Sequence, residues 1–206
     1  MMDSLVASIR LWTTRFVEAE ELSRKALAAF RQLGDRFGTV QALGPRLRAL
    51  VALGRAHEAE RGIEELLALG DAFGDLSFPA MAASGAAVHQ GIGERAVSLA
   101  EIAVERSNVM GADASESKIT FALACCQIGR PEEALSTLED GVRGGAYADA
   151  VEAIAAAMIG DADRALSAAA RIDERPEATY LNRVGAAVGA AAGEVLRGDV
   201  EAARSV

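Results

Sequence analysis

The stretch GRAHEA, Gly54 to Ala59, returns in altered form along the whole 206-residue chain. GIGERA runs from Gly91 to Ala96, GRPEEA from Gly129 to Ala134, GDADRA from Gly160 to Ala165 and GDVEAA from Gly198 to Ala203. TRFVEA, Thr14 to Ala19, has the same form with threonine in place of glycine. The six anchors follow one another at intervals of 31 to 40 residues, which is the mark of a repeat architecture. A second signal is out of phase with the first: LGDRFG at 33–38 recurs as LGDAFG at 69–74, with a weaker echo, SNVMGA, at 107–112.

Each period reads as two helices. After Ala59 the apolar residues Ile63, Leu66 and Leu67 keep helical spacing, and VQALGPRLRALVAL is helical in pattern before Gly54. Eight residues past the anchor alanine stand Leu27, Leu67, Val104 and Val142, with Asp173 the exception. Glycine ends the first helix because it tolerates positive φ, and the alanine lets the second helix approach closely. In the outer loop, Gly34 and Gly70 fit helix C-caps, and Asp35, Asp71 and Asp75 can accept from free backbone N–H groups. Phe37 and Phe73 are expected to fill the space between successive units.

Composition agrees with an all-α chain. About half the residues are hydrophobic, only 4% are aromatic, and alanine carries much of the apolar count. A net charge of −9 with no basic cluster argues against direct nucleic-acid binding. Lysine occurs only at Lys25 and Lys118, a bias towards arginine that suggests a GC-rich bacterial genome. The start lacks a basic segment followed by a long apolar run, so it does not read as a signal peptide. The longest uncharged run, 76–93, is too polar for a membrane span and reads as a buried helix. Adjacent Cys125 and Cys126 point about 100° apart on a helix and read as small core residues of a reducing cytoplasm.

GIGERA alone also fits G-x-G-x-x-A, the glycine fingerprint of dinucleotide-binding folds. That fingerprint needs a strand before it. Here PAMAASGAAVHQ precedes it, so the repeat is the better account of Gly91 and Ala96, and Gly93 is left without a reason. His57 and His89 lie in different units, and neither has a partner at metal-ligand spacing. The acidic pairs Glu20–Glu21, Glu64–Glu65 and Glu132–Glu133 read as solvated helix faces. No nucleophile motif is present, and no enzyme activity, cofactor or metal is expected.

A helical pair with G-x-x-x-[ER]-A at its inner turn resembles the tetratricopeptide repeat; FVEAEELSRKAL at 16–27 is the best single match. The long period and the LGDRFG loop resemble the arrays of large bacterial regulators, among them ATPase-linked transcriptional activators and some nucleotide cyclases. The family's tryptophan early in the first helix is missing. Its small residue midway along that helix is matched by Ser84, Ala122, Ala153 and Ala191, whereas Leu47 stands there in the second unit. The resemblance implies one domain over 1–206: a right-handed α-α superhelix of about six helix-turn-helix units, anchored near Thr14, Gly54, Gly91, Gly129, Gly160 and Gly198. The last unit is truncated and should leave apolar surface exposed, so the chain is expected to be part of a longer protein or to self-associate through its repeat ends.

The resemblance also implies that the first helix of each unit lines a concave groove that holds a peptide or partner helix. The corresponding positions are Gln41, Pro45 and Arg48, then Phe78, Met81 and His89, then Glu116, Thr120 and Gln127, and finally Tyr147. Phe78 and Met81 fit a groove anchor or core packing equally, and Arg48 fits a carboxylate or phosphate contact or a solvated side chain. The function expected is a non-catalytic, cytoplasmic, regulatory scaffold for a protein or peptide. A small-ligand sensor and an oligomerisation module are the alternatives, separable by groove shape and by size in solution.

Overall fold

A computed structural model describes residues 2–140, 142 and 144–206, and every regular element among them is helical. In chain order these are α1 (Met2–Trp12), α2 (Phe16–Leu33), α3 (Arg36–Ala52), α4 (Ala56–Phe73), α5 (Ser77–Gln90), α6 (Gly93–Met110), α7 (Ser115–Gln127), α8 (Pro131–Glu139), α9 (Ala146–Met158), α10 (Ala162–Arg171), α11 (Tyr180–Leu196) and α12 (Val200–Ser205). A short 3-10 turn, Ile172–Glu174, follows α10. The chain divides into two compact units, Met1–Ser117 and Lys118–Val206. Among the described residues no helix is long and apolar enough to cross a membrane.

One turn chemistry joins most of the helices. Gly54, Gly91, Gly129, Gly160 and Gly198 have positive φ at the turns read from the repeat, and Gly34, Gly74 and Gly111 do so at the outer turns. At each, the next residue donates back across the helix end, as Arg55 N–H does to Leu50 O (2.8 Å) and Asp35 N–H to Phe30 O (2.9 Å). These bonds satisfy carbonyls that the last helical turn leaves free. Thr14 occupies the same conformation at φ 60°, the one non-glycine residue with positive φ among those described. A β-branched residue there costs about 1–2 kcal/mol.

The two similar hexapeptides fold differently. In LGDRFG the helix ends at Leu33, Gly34 turns the chain, and Asp35 caps α3 by accepting from Gly38 N–H (2.9 Å). In LGDAFG, Gly70 and Asp71 lie inside α4, which runs to Phe73; the cap is Gly74, and Asp75 accepts from Ser77 N–H (2.9 Å). Gly70 is therefore no C-cap and Asp71 no capping residue. Gly70 serves packing instead: a Cβ there would meet Pro79 Cγ of α5 at 2.7 Å. Phe37 and Phe73 do not fill the space between units either, being 69% and 45% exposed. Phe30, buried against Gly38, takes that role at the first outer loop.

Within the first unit, α3 packs on α1, α2, α4 and α5. Leu43, Leu47, Leu50, Ile63 and Leu66 form the fully buried centre, each contributing about 1.5–3 kcal/mol by leaving water. Leu47, the large residue where the other units carry a small one, is accommodated by Gly62 on α4, where any Cβ would overlap the leucine's Cδ2. Within the second unit, α9 packs on α8, α10 and α11, and the core shrinks to alanines around Val151 and Ile172. Helix α11 approaches α9 so closely that a Cβ on Gly189 would lie 2.6 Å from the Ala153 backbone. The short 31-residue step arises because α8 has nine residues where α2, α4 and α6 have eighteen. Gly141 and Arg143 of that connection lie outside the described residues, and Val142, expected on a helix, is in the connection.

Candidate functional site

Of the groove positions, Gln41, Pro45, Arg48, Phe78, Met81, His89 and Glu116 belong to the first unit and Thr120, Gln127 and Tyr147 to the second. Two are buried. Thr120 is 3% exposed. Pro45, inside α3, lacks the N–H that would have bonded Gln41 O, and Ser4 Oγ of α1 donates to that carbonyl instead (3.1 Å). Pro45 and the Gln41 carbonyl are therefore parts of the α1–α3 contact. Phe78 packs over Gly44 of α3, near enough that a Cβ there would lie 3.4 Å from its ring, so core packing accounts for it. Gln127, Glu116 and His89 are exposed, while Met81, Arg48 and Tyr147 are half-buried.

Arg48 and His89 form the notable pair. Seven described arginines are half-buried. Six of them, Arg10, Arg46, Arg95, Arg164, Arg171 and Arg175, each meet a carboxylate. Arg48 meets none among the described residues, and the titratable group beside it is His89 of α5. Burial lowers the His89 pKa and the Arg48 charge lowers it further, while the bond to Gly85 O opposes them. The imidazole's Nδ1–H donates to Gly85 O at 2.6 Å, which leaves Nε2 as an acceptor. The ring is solvent-exposed yet enclosed enough by protein to be desolvated, as on an indented surface. An arginine held half out of water without a counter-ion offers a ready fork for a carboxylate or phosphate.

Two ionic clusters escaped the reading of the sequence. Glu20, expected on a solvated face, is 6% exposed and pairs with Arg46 (3.3 Å) and Arg55 (3.7 Å). Asp149, 5% exposed on α9, accepts from Arg171 Nε (2.7 Å) and Arg175 Nε (2.9 Å), and Glu152 pairs with Arg164 Nε (2.7 Å) and with Arg171. The visible signal was two acids three apart on an otherwise alanine-rich helix. Because each acid is matched by at least one arginine, these clusters tie helices together. Among the described residues no group of three or more His, Cys, Asp or Glu converges as a metal site.

A cleft of about 480 Å³ lies between α10 and α11, lined by Leu166, Ala170, Ala187 and Ala190 with Asp173 and Arg183. These last two pair with each other at 3.4 Å. The GIGERA segment is a helix–turn–helix: α5 ends at Gln90, Gly91 turns, and Gly93 opens α6 as a buried first residue. A helix precedes it where the dinucleotide fingerprint requires a strand.

The fold has a counterpart among solved structures. The apo form of the quorum sensor NprR from B. thuringiensis matches it at TM-score 0.60 and 16% identity, over 99% of this chain and 61% of that one. At that identity the likeness is one of fold alone, and the chain spans about 61% of the neighbour's length. No protein-family model matches the sequence, and a search of curated proteins finds no match.

Proposed function

We propose that the chain is a tetratricopeptide-like module, about six helical pairs in a superhelix, that serves a bacterial cytoplasmic regulator by recognising a peptide or protein segment without catalysing a reaction. The fold neighbour is a quorum sensor, which favours a sensing or regulatory role over a structural one. The observation that carries the reading is Arg48, the half-buried arginine without a carboxylate, beside a neutral histidine on the adjoining helix. A peptide carboxylate, from its C-terminus or an acidic side chain, supplies the missing counter-charge. Such charge-assisted bonds contribute about 1.5–3 kcal/mol each.

The test is fluorescence anisotropy with a pool of labelled peptides carrying free C-terminal carboxylates, compared with the same pool amidated and with acidic residues replaced by amides. Arg48→Ala should weaken binding by about tenfold or more, while Arg36→Ala, an exposed arginine of the same helix, should not. A bound carboxylate favours the charged imidazolium, so binding should tighten as pH falls through the lowered His89 pKa, and His89→Gln should flatten that profile. Equal binding by the wild type and Arg48→Ala would remove the proposed site.

A further inference from the structure

A glycine inside a helix gives up helix propensity, so its presence needs a reason. Among the described helices, every glycine beyond a helix's first residue has one in packing, with a single exception. At Gly44, Gly62, Gly189 and the rest, a neighbouring atom stands within 4 Å of where a Cβ would be. At Gly85 of α5 a Cβ would meet nothing within 4 Å. Its φ is not positive either, so the backbone does not demand glycine. Neither the turn chemistry nor the fold explains the missing side chain. What remains is the close approach of something else to the backbone.

The surroundings of Gly85 describe what could approach. Met81, Gly85 and His89 follow at intervals of four and so share one face of α5. Met81 is half-buried one turn before the bare position, and one turn after it the His89 imidazole leans back to donate to Gly85 O at 2.6 Å. Gly85 itself is buried, so the free space above it is a recess between these two side chains, not open surface. Arg48 stands on α3, which packs on α5, close enough for its charge to act on His89. All four residues belong to the first unit. The recess therefore has a thioether at one end and, at the other, an imidazole with a guanidinium that lacks a carboxylate.

We propose that the recess over Gly85 takes the methylene stem of an aspartate or glutamate side chain from the bound peptide, whose carboxylate then reaches Arg48. This rests on the reading of Arg48 given above and narrows its carboxylate from two sources to one. An acidic side chain has its parts in the matching order, an apolar stem against Met81 and a charge against Arg48. A peptide C-terminus carries its carboxylate on a carbon that also bears the amide, so it has no bare stem to lay against α5. Gly85 is thus a specificity-determining residue: without a Cβ, the stem can rest on the helix backbone.

The labelled peptide pools that test Arg48 also test this, with Gly85→Ala as the added variant. The methyl fills the recess without touching the rest of the fold. Gly85→Ala should keep its helical circular dichroism, melt no lower than the wild type and bind roughly tenfold or more weakly. His89, followed by NMR, should titrate at the same pH in both free chains, which ties the loss to the methyl and not to the imidazole. The wild type should keep its affinity for the amidated pool and lose it for the pool whose acidic residues are amides. Arg48-dependent binding that Gly85→Ala leaves intact overturns this inference and spares the reading of Arg48. Binding lost on amidation but kept without acidic side chains does the same. A lower melting temperature or a displaced His89 titration in Gly85→Ala also overturns it. A wild type that binds no peptide, or no better than Arg48→Ala, overturns both.

Discussion

Gly85 and Gly189 are both buried in helix interiors, and neither has the positive φ that would exclude a side chain. The same substitution, glycine to alanine, should therefore have opposite effects at the two. In α5 a Cβ on Gly85 meets nothing within 4 Å, so Gly85→Ala keeps the full gain in helix propensity, about 1 kcal/mol. In α11 a Cβ on Gly189 would stand 2.6 Å from both the carbonyl carbon and Cβ of Ala153 and 2.8 Å from its oxygen. Carbon contacts settle near about 3.5–4.0 Å. Backbone cannot rotate aside as a leucine tip can, so α9 and α11 must part by roughly 1 Å. Overpacking of this kind costs about 1–3 kcal/mol. Set against the propensity gain, the net loss for Gly189→Ala is about 0–2 kcal/mol, and the two variants should differ by about 1–3 kcal/mol, the cost of overpacking itself. Urea unfolding followed by circular dichroism measures this, with the midpoint read at unchanged slope. A Gly189→Ala chain stabilised as much as Gly85→Ala would refute the close α9–α11 approach.

Thr14→Gly relieves a left-handed threonine and should stabilise the chain by about 0.5–1 kcal/mol after the extra backbone entropy of glycine; a lower melting temperature would contradict the turn geometry. Ser4→Ala strands the Gln41 carbonyl that Pro45 cannot serve and should cost about 1–3 kcal/mol. In a Pro45→Ala background that cost should largely disappear, and an undiminished cost there would sink the explanation. Burial pushes the Cys126 thiol from 9.0 up to about 11, so the unfolded chain ionises first as pH rises. The stability tied to the neutral thiol is whole below pH 9.0 and is lost as pH approaches about 11. Comparing wild type with Cys126→Ala across that window should show a steeper fall in the wild type, and parallel curves would count against burial as the cause.

The period of the repeat was legible in the sequence because the turns are local. A residue with positive φ selects glycine whatever surrounds it, and the five anchor glycines read from sequence all sit in that conformation, as Thr14 does at the cost of strain. The helices were legible for the same reason, through apolar spacing and alanine content. What the sequence hid was whatever a neighbouring helix decides. LGDRFG and LGDAFG differ at one position, yet one ends a helix at its first glycine and the other carries the helix on to Phe73, with Pro79 close against Gly70. Leu47 looked like a departure from the pattern until Gly62 was found opposite it. Pro45, placed in a groove by resemblance, is buried beside the Ser4 bond to the Gln41 carbonyl, and Phe78, which fitted groove or core equally, packs over Gly44. Glu20 looked like a surface acid until arginines 26 and 35 positions later closed over it. Arg48 was a candidate by resemblance, and what sets it apart, the lack of a carboxylate that the other half-buried arginines have, shows only in the structure. Turn chemistry depends on one residue and its own φ, so sequence alone determines it; burial and charge pairing depend on which helix lies alongside, which only the tertiary structure decides.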